Sequence, residues 1–302
     1  MTVASRGTFE PSADATGRAE CWNDTVHSDD CSAAGAREPS FDEMVQILLD
    51  RVCKPRRWGD PQLAAPLAGI DPVMVPTPHG AVAAWRVGTG PATLLVHGWQ
   101  DDSSLWSPLM AALLERSEPF VAFDLPAHGF SEGDRGLTFE TADALHAVTD
   151  ALGPIRSLVA HSFTCGASAL AVSEGLSATR VALIAPPLWP ASASRFHRVA
   201  DHLAFPVSVA ERARALYRDS TTPGRAAYDV RTQLVDLDVE VLLVSSLDDE
   251  RMAVDDARTL APKLPRGALF ELHGPDHRGT ARHPDVIHRI VEFIDEGLGD
   301  CT

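Results

Sequence analysis

From Ala92 onward, short apolar runs alternate with longer segments of helical spacing, a rhythm that few folds can satisfy. The spacing predicts strands at Pro72–Val75, Val82–Val87, Ala92–Val96, Phe120–Phe123, Leu158–Ala160, Val181–Ile184, Val239–Val244 and Leu269–Leu272. Between the later strands it predicts helices over Ser104–Glu115, Phe139–Leu152, Thr164–Glu174, Val254–Leu260 and Pro284–Gly297. Strand and helix in alternation imply right-handed crossovers, and therefore a mostly parallel sheet covered on both faces. The runs Ala92-Thr-Leu-Leu-Val96 and Glu240-Val-Leu-Leu-Val244 carry the unbroken apolarity that two-sided burial demands. The first two strands are joined by Pro76-Thr-Pro-His-Gly80, which suits a hairpin.

One interval breaks the rhythm. Residues 187–237 contain no strand-like run but two helical stretches, the second opening with the capping box Ser208-Val-Ala-Glu211. Trp189, Phe196, His197, Phe205, Tyr217 and Tyr228 concentrate there, as expected of a small helical lid over the carboxyl edge of the sheet. Trp189 and Phe196 are candidate substrate contacts, with packing of the lid on the core as an equal alternative. Residues 1–38 hold few large apolar side chains, and such a composition predicts a disordered tail. Residues 39–70 form a helix and linker: Ser40-Phe-Asp-Glu43 is a capping box, and Met44, Val45, Leu48, Leu49 and Val52 follow at helical spacing. That stripe is expected to dock on the main domain. The core then comprises residues 71–186 and 238–298.

Charge narrows the classes further. With 26 basic against 42 acidic residues and a net charge of −16, the surface does not invite nucleic acid or an anionic membrane. The first residues lack the apolar run of a signal peptide, and no run of about 18 apolar residues occurs, so a cytoplasmic location is expected. Cys21, Cys31, Cys53, Cys165 and Cys301 are odd in number and scattered, which predicts reduced thiols. His273, Asp276, His277 and His283 lie close in sequence, but no cysteine or second cluster joins them, and no metal is expected.

The chemistry is concentrated in Ser157-Leu-Val-Ala-His-Ser162-Phe-Thr-Cys-Gly166, where an apolar strand runs into a serine and then into a helix. Such a turn holds the Ser162 hydroxyl clear of the backbone above a helix N-terminus. A serine hydroxyl needs a base within reach and a third group to orient that base. In a parallel sheet these come from the carboxyl ends of other strands. One such end carries Asp248-Asp249-Glu250 and the next carries His273-Gly-Pro-Asp-His277, so serine, acid and histidine follow in that order. Asp248 and Asp249 both remain candidates on this reading, and Asp276 is read as a solvated loop residue.

Over residues 72–297 the chain resembles the α/β-hydrolase superfamily. The matching segments are Leu95-Val-His-Gly-Trp99, Asp124-Leu-Pro-Ala-His-Gly-Phe-Ser131, Ala160-His-Ser-Phe-Thr164, Leu247-Asp-Asp249 and Gly274-Pro-Asp-His277. The resemblance implies an eight-stranded, mostly parallel sheet with helices on both faces and a helical lid. It implies Ser162 as nucleophile, His277 as general base, Asp249 as the acid that orients it, and the backbone N–H groups of Trp99 and Phe163 as an oxyanion hole. The expected activity is hydrolysis of a carboxylic ester or thioester on a small-molecule acyl substrate, without a cofactor. An acyltransferase using the same residues, or a non-catalytic binder of small ligands, are the alternatives. The chain departs from the usual Gly-x-Ser-x-Gly elbow by having Ala160 and Thr164 at the flanking positions.

Overall fold

A computed structural model describes residues 37–56, 63–188, 194–221, 225 and 228–296. Most of the predicted tail, and Trp189, lie outside the described residues, as do Cys21, Cys31 and Cys301. The sheet contains eight strands: β1 (Val73–Val75), β2 (Val82–Val87), β3 (Ala92–Val96), β4 (Phe120–Phe123), β5 (Ile155–His161), β6 (Arg180–Ile184), β7 (Glu240–Ser246) and β8 (Gly267–Leu272). Their spatial order is β1-β2-β4-β3-β5-β6-β7-β8. The β1–β2 and β2–β4 pairs are antiparallel, and every pairing from β4 through β3 to β8 is parallel. This is the mostly parallel sheet expected of the sequence. β5 is longer than its apolar centre because Ile155 and Ser157 are buried with it.

The helices among the described residues are α1 (Phe41–Cys53), α2 (Ser107–Glu115), α3 (Thr138–Leu152), α4 (Thr164–Ser173), α5 (Arg195–His202), α6 (Val207–Asp219), α7 (Val230–Asp236), α8 (Val254–Leu260), α9 (His277–Thr280) and α10 (Pro284–Glu296). The turn predicted as the start of α2 is 3-10 helix over Ser103–Trp106, since Pro108 lacks the N–H that an α-helix interior requires. Side chains alternate across the sheet. Leu95, Val159, Ala182, Leu242 and Val244 join Leu109, Leu113, Val286, Ile290 and Phe293 from α2 and α10 in one core. Leu94, Leu158, Val181 and Leu243 are fully buried on the other face, and α3 and α4 pack against each other.

The insert differs from its sequence reading in three respects. It contains a third helix, α7, whose Asp229 side chain accepts from the N–H groups of Arg231 and Thr232 at 3.0 and 3.3 Å. α6 begins at Val207 behind Pro206 and has no side-chain cap, so Ser208 lies inside the helix. Finally, α1 packs chiefly on α5 and α6. Val45, Leu48 and Val52 of α1 are buried, as are Ala200 of α5 and Val209, Ala210 and Ala213 of α6. Short insert helices expose too much apolar surface to stand alone, and the N-terminal helix covers it. The capping box that starts α1 is formed, with Ser40 N–H donating to Glu43 at 2.8 Å.

Candidate active site

The loops at the carboxyl ends of β3, β5, β7 and β8 converge. After β5 the chain turns sharply: Ser162 has φ 60°, a left-handed conformation that costs an L-residue roughly 1–2 kcal/mol. The turn is held on both sides, because Ser162 N–H donates to Ile184 O at 2.9 Å and Ser162 O accepts from Cys165 N–H at 3.0 Å. Thr164 opens α4 fully buried, and its hydroxyl donates to His161 O at 2.8 Å, with Val96 O at 3.3 Å. The β-branch therefore fits the elbow, and its oxygen ties the ends of β3 and β5 together. Thr164→Val keeps the volume and deletes these bonds, so it is expected to cost about 1 kcal/mol, read as a lower denaturant midpoint at unchanged slope.

The acid and histidine loops are fastened at three places. Ser246 Oγ donates to Pro275 O at 2.6 Å, and Gly274 N–H donates to Asp248 Oδ2 at 2.6 Å. The third is Asp249, whose Oδ2 lies 2.7 Å from His277 Nδ1. Asp249 Oδ1 accepts from Arg251 N–H at 2.8 Å and Met252 N–H at 3.2 Å. Burial alone raises the Asp249 carboxyl, yet the hydrogen bond and charge of His277, helped by these two N–H groups, bring it below its ordinary value. Asp248 thus holds the Gly274 turn and pairs with exposed His273 at 3.4 Å, while Asp249 holds His277. Asp276 is a cap for α9, accepting from Gly279 N–H at 2.5 Å.

His277 Nε2 lies 2.9 Å from Ser162 Oγ. Ser162, His277 and Asp249, on three separate loops, are therefore joined in one hydrogen-bonded line, and each is at least nine-tenths buried. Trp99 and Phe163 are also brought together, their rings meeting edge to face at 5.5 Å between centroids. Among the described residues no hydrogen bond occupies the backbone N–H of either. Phe196 is buried and leans on Tyr217, with centroids 5.7 Å apart. Tyr217 in turn stacks on Phe139, accepts from its N–H at 3.0 Å and donates to Glu140 at 2.9 Å, which anchors the insert on α3. The insert also reaches the site: the Arg195 guanidinium lies 4.4 Å above the centre of the Trp99 ring.

The Asp124 and His97 motifs serve as scaffold. Buried Asp124 accepts from the N–H groups of Ser103 and Phe130, both at 2.8 Å, and burial pushes its carboxyl up. Gly129 is obligatory beside it, with φ 48° and space for a Cβ only 2.1 Å from an Asp124 oxygen. His97 accepts from Leu125 N–H at 3.0 Å through Nε2 and donates to Gly98 O at 2.8 Å through Nδ1, which steadies the turn carrying Trp99.

Sequence reasoning did not single out His161, whose only signal was its place beside Ser162. Its Nε2 donates to the backbone oxygen of His277 at 3.0 Å, and their rings are 4.9 Å apart. Burial, then the neighbouring His277, lower its pKa from 6.5 to about 3, so the ring is neutral in the fold. The sign follows: below pH 6.5 the unfolded chain takes up a proton that the native ring refuses until about pH 3, so stability is lost as pH is lowered across that window. Each pH unit there costs about 1.4 kcal/mol for one such proton. His161→Gln is expected to flatten the pH dependence of the unfolding free energy between pH 6 and 4 by about that slope; equal slopes in the two proteins would refute the buried neutral ring.

Among the described residues, no group of three or more His, Cys, Asp or Glu side chains is arranged to hold a metal ion. No helix among them is long and apolar enough to cross a membrane. Cys53 and Cys165 are buried free thiols, both pushed up by burial.

This sheet order, with a serine at a left-handed turn between β5 and α4, defines a class, and the sequence assigns it: the chain belongs to the alpha/beta hydrolase family, which it matches over residues 93–292. Over 95 residues it is 35% identical to an uncharacterized protein of Mycobacterium tuberculosis, a match covering 30% of this chain and 27% of that one. The chain thus aligns with about a quarter of that relative's length. An esterase of Pyrococcus furiosus shares the fold at a TM-score of 0.62 and 16% identity, covering 82% of this chain and 98% of that one. A thermophilic esterase of Thermogutta terrifontis does so at 0.58 and 16%, over 75% and 98% of the two chains. A bacterial membrane phospholipase A gives 0.58 and 20%, over 76% and 87%. At such identities the likeness concerns the fold.

Proposed function

We propose that this protein is a serine hydrolase that cleaves a carboxylic ester or thioester through an acyl-enzyme on Ser162. The observation that carries this reading is the continuous line from Ser162 Oγ to His277 Nε2 at 2.9 Å and from His277 Nδ1 to Asp249 at 2.7 Å. In the first half-reaction Ser162 Oγ attacks the carbonyl carbon, and its proton passes to His277 Nε2. Asp249, kept ionised, stabilises the imidazolium that forms. The N–H groups of Trp99 and Phe163, free of other acceptors among the described residues, receive the developing oxyanion, a contribution of about 3 kcal/mol per donor in such sites. Collapse of the intermediate breaks the bond to the alcohol or thiol, which leaves with the proton from His277. Water then attacks the acyl-enzyme, giving a proton to His277, and the acid departs as Ser162 recovers its own.

Family membership and esterase neighbours on the same fold support a hydrolase in general terms. The insert, anchored by Tyr217 and reaching Trp99 through Arg195, is the part of the chain suited to select the acyl group. A chain-length series of p-nitrophenyl esters and acyl thioesters tests the reading, run with added alcohols and amines. Release of acid that depends on Ser162 is expected. A product dominated by acyl transfer to the added acceptor would make the protein a transferase, and no Ser162-dependent release in either series would overturn the hydrolase reading.

A further inference from the structure

Arg278 follows His277 directly and forms a two-pronged ion pair with Asp101, 177 residues away in sequence. Its Nε donates to Asp101 Oδ2 at 3.0 Å and its terminal nitrogen to Oδ1 at 2.9 Å. The carboxylate side is almost sealed, with Asp101 7% exposed and Arg278 35%. A fork of this kind fixes orientation as well as distance, which a single contact does not.

What the pair joins gives it meaning. Asp101 closes the turn Gly98-Trp99-Gln100-Asp101, donating its N–H to Gly98 O at 3.3 Å. Gln100, third in that turn, has φ 59°, a position that glycine usually fills because an L-side chain is strained there. The direction of the Trp99 N–H is set by this turn, so a strained conformation must be held from outside. Gly98 leaves no slack on the other side, where an added Cβ would lie 2.8 Å from His161 Nδ1. His161 Nε2 meanwhile holds the His277 carbonyl at 3.0 Å, immediately before Arg278.

We propose that Arg278 and Asp101 are positioning residues that lock the Trp99 turn to the His277 loop, so that oxyanion donor and general base keep one relative geometry through both half-reactions. This rests on the hydrolase reading above, and Ser162→Ala separates the two: turnover within about tenfold of wild type in that variant defeats the reading, whereas the clamp stands or falls on the variants below. Removing only Arg278 leaves a buried charge, so the decisive protein is the double variant Asp101→Asn with Arg278→Gln, a neutral pair of similar shape.

With the best ester from the chain-length series, the double variant is expected to melt within a few degrees of wild type. Its kcat should fall about 10²-fold, the scale that misplacement by about 1 Å brings, with KM changed less than threefold. Fluorophosphonate labelling of Ser162 should slow in parallel. Arg278→Lys keeps the charge without the fork and should recover part of the loss; it also decides the matter if the double variant fails to fold. A folded variant with kcat within twofold of wild type would overturn the proposal. So would a rise in KM at constant kcat, which would make the pair a substrate contact.

Discussion

On the mechanism proposed above, Ser162→Ala is expected to lower ester or thioester turnover about 10⁶-fold in kcat with substrate binding retained. The size follows from the geometry. His277 and Asp249 remain in place, but the Ser162 oxygen 2.9 Å from His277 Nε2 is gone, so the acyl-enzyme of the proposed mechanism cannot form. Fluorophosphonate labelling should vanish together with turnover. Stability moves little or rises, since the buried hydroxyl leaves but the φ of 60° stays. Residual Ser162-independent hydrolysis within about tenfold of wild type would place the chemistry on another group and refute the mechanism.

The second large effect separates two adjacent carboxylates. Asp249→Asn is expected to lower kcat about 10⁴-fold, because the amide holds His277 in the wrong tautomer and cannot compensate the imidazolium. Asp248→Asn should cost less than about fivefold, as a lost turn contact remote from the proton path. Asp248 holds Gly274 N–H at 2.6 Å, whereas Asp249 holds His277 Nδ1 at 2.7 Å. Steady-state kcat on one ester for both variants gives the comparison, and equal losses would contradict the assignment. The lowered pKa of Asp249 carries a stability consequence of defined sign. Its contribution is complete above the unfolded carboxylate value near 4 and is lost only as pH falls through the lower folded value, so the neutral and mildly acidic range leaves it intact.

Much of the architecture is legible in the chain because it depends on local rules. Ala92–Val96 and Glu240–Val244 read as buried parallel strands because two-sided burial requires unbroken apolarity, and both occupy such positions. Ser40 and Glu43 announce the start of α1, since a capping box is a contact between residues three apart. Local rules also mislead: Ser208 and Glu211 have the same spacing but fall inside α6, where Pro206 has already set the entry angle. The seven residues of α7 carry too little periodicity to announce a helix in the sequence.

For the site, the sequence by itself determined the residue types and their order: a serine after an apolar strand, a pair of aspartates after another, a histidine after the last. Which aspartate faces the histidine is decided by the path of the backbone in the turn after β7, and only the tertiary structure contains it. The same holds for Thr164, whose hydroxyl finds two carbonyls from different strands, and for His161, whose partner lies 116 residues away. The clamp between Asp101 and Arg278 is the extreme case. Hydrophobic period and capping act over a few residues and leave a trace in the chain; hydrogen bonds between distant loops act through space and leave none.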